Sequence, residues 1–123
     1  MPAVKLKQET MAKIPRYSEL SLPRQALLRL CQSINHGCIR DLHVRGQEPI
    51  FDPSPTVMVE MKLNTDDGAR PELNLADFDL SDEVCRLLRR FDKIKDGKIA
   101  ELEVRAGIPR RGFVESLATE LLQ

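Results

Sequence analysis

The chain has 123 residues, 41% hydrophobic and 31% charged, and its 19 basic side chains balance 19 acidic ones. That length holds one hydrophobic core rather than two, and the balanced charge gives no global field to draw the chain onto nucleic acid or an anionic membrane. Four Phe, one Tyr and no Trp are too few rings for a base-stacking platform or a sugar-binding surface, so the core must be mainly aliphatic.

No apolar run approaches the ~20 residues of a membrane span, and the N-terminus lacks the apolar core of a signal peptide. Three cysteines, Cys31, Cys38 and Cys85, are an odd count without CxxC spacing. A reducing, cytoplasmic location is expected.

The whole chain, 1–123, reads as a single domain. Residues 1–18 mix Lys, Gln and Pro around Val4, Leu6, Met11 and Ile14, an N-terminal arm either loose or laid along the surface. A first unit with an extra strand follows over 19–63. Ser21 is placed to cap a helix with Pro23 in its first turn. Leu27, Leu30, Cys31 and Ile34 recur at helical spacing, and Gly37 is expected to end the helix. Ile39, Leu42 and Val44 then read as a strand whose alternation is broken once, as by a bulge. A turn at Gly46-Gln47, with glycine first, fits type II′. A short return strand, Glu48 to Phe51, meets Asp52-Pro53-Ser54-Pro55, a firm break. From Thr56 to Leu63, Val57, Val59, Met61 and Leu63 alternate cleanly with Met58, Glu60 and Lys62, the best strand pattern in the chain. The acidic, polar stretch 64–79 reads as a connection.

The second unit, 80–111, repeats the first at an offset of sixty: twelve of the thirty positions from Leu20/Leu80 to Pro49/Pro109 are identical, where composition predicts roughly two. Ser81 caps, Asp82 and Glu83 suit the helix dipole, and Val84, Leu87, Leu88 and Phe91 form the stripe. Gly97 and the strand residues Ile99, Leu102 and Val104 follow, broken in the same place. The turn Ala106-Gly107 fits type II or I′. Beyond Pro109, the spacing of Phe113, Leu117 and Leu121 with Val114, Ala118 and Leu122 predicts a C-terminal helix over 112–123.

Two strings inside the repeat imitate metal sites. Asp92, Asp96, Gly97, Ile99 and Glu103 fall at EF-hand loop positions, but Ile94 offers no oxygen at the third position and Lys93, Lys95 and Lys98 crowd the loop. Cys31, His36, Cys38 and His43 offer zinc-type ligands at a non-standard spacing. Neither set is kept in the other copy, which favours a helix–turn–strand junction. A glycine-rich phosphate loop, HExxH and GxSxG are all missing from the sequence, so no cofactor is expected.

Arg86, Arg89, Arg90 and Lys93 form a basic side of the second helix, with Arg105, Arg110 and Arg111 nearby in sequence. Arg45 and Arg105 are the one polar pair retained in both strand blocks. These seven arginines are the candidate binding residues, set against a solvated helix face balanced by Asp82, Glu83 and Asp92. Each unit, through Leu-Leu-Arg, the glycine and the Ile-x-x-Leu-x-Val pattern, resembles the small uncharacterised bacterial YezD-like proteins. The resemblance implies a bacterial helix–hairpin unit and carries no activity over.

The expected fold is α+β: two helix–strand–turn repeats forming one mainly antiparallel sheet with the helices on one face. The expected function is a small non-catalytic interaction or regulatory protein acting through a protein partner or a second copy. Nucleic-acid binding through the arginine set is the alternative, and a metal- or thiol-dependent enzyme centred on His36, Cys38 and His43 a weaker one. No membrane partner is expected.

Overall fold

The structure, a computed structural model, describes residues 15–65, 70–115 and 121–122. Helix α1 (Leu22–Ile34) leads into β1 (Gly37–Arg45), β2 (Glu48–Ile50) and β3 (Thr56–Val59), and α2 (Asp82–Ile94) leads into β4 (Gly97–Arg105) and β5 (Ile108–Val114). Both helices begin where serine can cap them: Ser21 Oγ accepts the Arg24 N–H and Ser81 Oγ the Val84 N–H, each satisfying a donor the helix leaves orphaned. The two helices are offset by sixty residues, as are β1 and β4.

The fold is α+β. Its five strands form one antiparallel sheet, ordered β2-β1-β4-β5, with β3 also paired to β1. Central β1 and β4 are in a register that maps onto itself at the sixty-residue offset: Gly37 opposes Val104 as Val44 opposes Gly97, and Ile39 opposes Leu102 as Leu42 opposes Ile99. Ile39, Leu42, Val44, Ile99, Leu102 and Val104 are buried with Leu27, Leu28, Cys31, Leu88 and Phe91 of the helices. The helices therefore cover one face of the sheet. The other face carries cross-strand ion pairs, Arg40–Glu101 at 3.1 Å and Arg111–Glu103 at 3.4 Å.

Neither glycine ends its helix. The chain reverses at Asn35 and Lys95, both at positive φ (62° and 60°), in tight turns where the His36 N–H donates to the Ile34 carbonyl and the Asp96 N–H to that of Ile94, each at 2.7 Å. Gly37 is instead the first residue of β1. A Cβ there would lie 2.0 Å from the Met58 carbonyl oxygen, so glycine is what lets β3 approach. Both hairpins turn through two residues at positive φ, Gly46-Gln47 and Ala106-Gly107, the signature of type I′, so the type II′ expectation for the first is corrected.

The return strand of the first half is split. β2 ends at Ile50, and β3 takes up the pairing at the other end of β1, so the strand expected over 56–63 joins the sheet through Thr56–Val59. Gly37 opposes Val59, and beyond this pair the Glu60 N–H donates to the His36 carbonyl at 2.8 Å. In the second half one strand does the same work. β5 runs through Gly112, Phe113 and Val114, which corrects the helix expected from residue 112. The edge of β4 holds backbone groups that need partners, and no Asp-Pro-Ser-Pro break interrupts the returning chain. Residues 116–120 and 123 of that expected helix, and 1–14 of the arm, lie outside the described residues.

The rest of the arm is laid on the body. The Tyr17 N–H donates to the Phe78 carbonyl, the Leu80 N–H to that of Pro15, and Tyr17 stacks on Phe78 at 4.8 Å. Arg29 fastens this layer to α1, donating to Tyr17 Oη and to the carbonyls of Glu72 and Leu75.

Candidate functional site

A groove of about 450 Å3 opens between α2 and β5. Its floor is apolar: Ile99, Leu102 and Pro109 are buried, and Leu87 and Ile94 half-buried. Its rim is basic. Arg86 and Arg90, four residues apart and so on one side of α2, line it with Arg110 and Arg111 of β5, the Arg111 guanidinium pairing with Glu103 on the other face of the sheet, and Glu83 lies one turn before Arg86. Arg110 reaches this position through a bulge: Val104 pairs with Pro109 and Glu103 with Arg111, which leaves Arg110 as the extra residue.

Four of the seven arginines anticipated from sequence thus line the groove, three of them (Arg86, Arg90 and Arg110) without a carboxylate partner among the described residues, and the other three do not line it. Arg89 is exposed on α2 outside the groove lining. Arg45 and Arg105 sit at opposite ends of the β1–β4 ladder, about 30 Å apart along the strands. Arg105 and Arg111 both pair with Glu103, at 3.5 Å and 3.4 Å. Among the described residues, none of Arg86, Arg89, Arg90 and Arg110 has a carboxylate partner.

The same place in the first half is built differently, and the difference is specific. The floor is shared position by position: Leu27/Leu87, Ile34/Ile94, Ile39/Ile99, Leu42/Leu102 and Pro49/Pro109. The rim is not. At the sixty-residue offset in sequence, Arg86, Arg90, Arg110 and Arg111 align with Ala26, Leu30, Ile50 and Phe51, and the bulge adds Arg110, so that Arg111 lies opposite Glu103 as Ile50 lies opposite His43. Leu30 and Phe51 pack against the core, and Leu27 and Ile34 are buried where Leu87 and Ile94 are only half covered. One apolar floor is closed by its own chain in the first half and left open under guanidinium groups in the second. The sequence marks Glu83 as a first-turn acid and Leu87, Ile99 and Leu102 as core, not as parts of a groove; the signal for the groove lay in comparing rim positions between the halves.

The metal-like strings are used otherwise. Asp92 pairs with Arg24 at 2.8 Å, and Glu103 with Arg105 and Arg111. Asp96 Oδ1 accepts the Gly46 N–H at 3.0 Å, while at the equivalent place His36 Nδ1 accepts the Ala106 N–H at 3.3 Å. Beside them, the Lys95 carbonyl accepts the Gln47 N–H and the Asn35 carbonyl the Gly107 N–H, both at 2.9 Å. Each helix end therefore holds the hairpin turn of the other half. Cys31 is in the core, and burial pushes its thiol up to about 12, against the deprotonation a zinc ligand needs. Among the described residues, no three His, Cys, Asp or Glu side chains are grouped to hold a metal ion, and no helix is long and apolar enough to cross a membrane.

No protein-family model matches the chain, and comparison with curated proteins and with solved structures finds no match.

Proposed function

We propose that this protein is a non-catalytic interaction module whose α2–β5 groove binds an acidic segment of a protein partner that also carries aliphatic side chains. One observation carries the reading: an apolar floor common to both halves is left open only where the rim has become arginine. An exposed apolar surface of this kind is a recognition feature, and the guanidinium groups of Arg86, Arg90 and Arg110, which have no carboxylate partner among the described residues, favour carboxylates, which they can meet bidentately. The two halves read as copies of one unit, the first keeping the scaffold and the second adapted for binding.

The test is to measure binding of a panel of Glu/Asp-rich, Leu-containing peptides by fluorescence anisotropy. Arg86→Ala with Arg90→Leu, which copies the first half's rim, should weaken binding about tenfold or more and reduce its salt dependence. Arg89→Ala, on the same helix outside the groove, should leave it unchanged. Equal losses from both would sink the proposal. Nucleic-acid binding is the second reading, and it draws on the whole arginine set. The arginines, however, occupy separate surfaces and the net charge is zero. Oligonucleotide binding weakened alike by Arg45→Glu, Arg89→Glu and Arg110→Glu would favour it.

A further inference from the structure

Where each helix begins, its first turn meets the hairpin turn of its own half and the last turn of the other helix. In the first half one side chain fills this place. The Arg24 guanidinium donates to the Gln47 carbonyl and to Asp92, each at 2.8 Å. It lies 3.5 Å from Glu48, which accepts the Ser21 hydroxyl at 2.7 Å. At the sixty-residue offset, Arg24, Gln47, Asp92, Glu48 and Ser21 align with Val84, Gly107, Gln32, Ile108 and Ser81. The arginine and both carboxylates that hold it are replaced together. In the second half the place remains as a cavity of about 210 Å3, lined by all five of these residues.

Two donors at this cavity lack acceptors among the described residues. Gln32 is buried, only 6% exposed, and its Oε1 accepts from Arg29 at 3.0 Å. That bond fixes the orientation of the amide and leaves Nε2, without an acceptor, for the cavity. Ser81 Oγ accepts the Val84 N–H at 3.2 Å, but its own hydroxyl proton has no counterpart of Glu48 to go to. A buried donor left unmet costs about 1–3 kcal/mol, which a ligand acceptor would recover. The deep wall is apolar, made by the buried Leu28, Leu80 and Val84. Glu72 and Asp79 line the outer part. They are already paired, with Arg70 and Arg16, so the mouth is charge-compensated and favours neither anion nor cation.

We infer that this cavity is a second binding site, for a neutral small molecule that carries an amide or ketone carbonyl on an aliphatic body. The carbonyl accepts from Gln32 Nε2 and the Ser81 hydroxyl, and the body covers Leu28, Leu80 and Val84. The volume falls below the roughly 300–1,000 Å3 of drug-sized pockets, which limits the ligand to a small fragment. The site shares no lining residue with the α2–β5 groove and does not depend on what that groove binds.

The experiment is an NMR titration of the full chain with butyramide, butylammonium and butyrate, which share chain and size and differ in headgroup. Butyramide should shift the Gln32 side-chain amide and the Leu28 and Val84 methyl resonances with a Kd of about 1–10 mM, and the two ions should not. This comparison needs no variant. Gln32→Glu keeps the acceptor for Arg29 and exchanges the free donor for an acceptor, so it should weaken butyramide about tenfold or more. Val84→Arg with Ile108→Glu, which rebuilds the first half's filling, should abolish binding. Arg86→Ala with Arg90→Leu should leave it unchanged. No shift at Gln32 well above that concentration range would overturn the inference, as would ions that bind as well as the amide, or a Gln32→Glu chain that binds butyramide as before.

Discussion

Asp96 and His36 occupy the same position in the two halves, and each turns its acceptor toward a hairpin turn of the other half. Asp96→Ala leaves the Gly46 N–H without that acceptor. A loss of about 0.5–1.5 kcal/mol is expected in urea denaturation, with no change in any metal dependence, which a calcium ligand would alter. Cys31 gives a second expectation. Its buried thiol, held up near 12, should resist alkylation in the native state, while the half-buried Cys38 and Cys85 react. Modification of Cys31 as fast as the other two would contradict its place in the core.

Asp77 sets a pH dependence with a definite sign. The Arg16 guanidinium, with the Ser18 N–H, holds its carboxyl down at about 2 against an ordinary 3.8. A depressed carboxyl contributes fully above its ordinary value and loses that contribution as pH falls through the lowered one. The attachment of residues 15–20 to 77–80 should therefore be intact above about pH 4 and weaken toward pH 2. Proteolytic cleavage near Arg16 by an acid-active protease should rise in that window, and Asp77→Asn should make it high throughout.

At the scale of elements, much was legible because the signals were local. The helical stripes, the serines three residues before Arg24 and Val84, and the two-residue turns each follow from neighbouring residues. What escaped depended on distant partners. The C-terminal helix was read from Phe113, Leu117 and Leu121, but the free edge of β4 claims Gly112 to Val114 as strand. The alternation over 56–63 is real, yet strand pairing stops where β1 begins. Gly37 and Gly97 look alike in sequence and act differently. At Gly37 a Cβ meets the Met58 backbone oxygen at 2.0 Å as well as the Ile34 Cγ2 methyl at 3.0 Å; at Gly97 it meets only the Ile94 Cγ2 methyl, at 2.9 Å. Gly37→Ala should therefore cost about 1–3 kcal/mol, and Gly97→Ala clearly less, by chemical denaturation. Equal costs would mean that β3 does not press on β1 as described.

Across the whole molecule, the sixty-residue correspondence makes the first half a built-in reference for the second. It separates what the scaffold requires, the shared Leu, Ile and Pro of the floor, from what it does not. The seven arginines were visible as residues in the sequence, but which of them meet was not, because the strand register throws Arg45 and Arg105 to opposite ends. The β5 bulge, which also leaves no local mark in the sequence, brings Arg110 to the groove. The most direct measurement is a backbone amide NMR titration of the full chain with a Glu- and Leu-rich peptide. The account predicts salt-sensitive shifts confined to 83–94 and 108–114, with the matching residues 23–34 and 48–51 silent. Shifts spread over both halves, or centred on the charged outer face around Arg40 and Glu101, would contradict it.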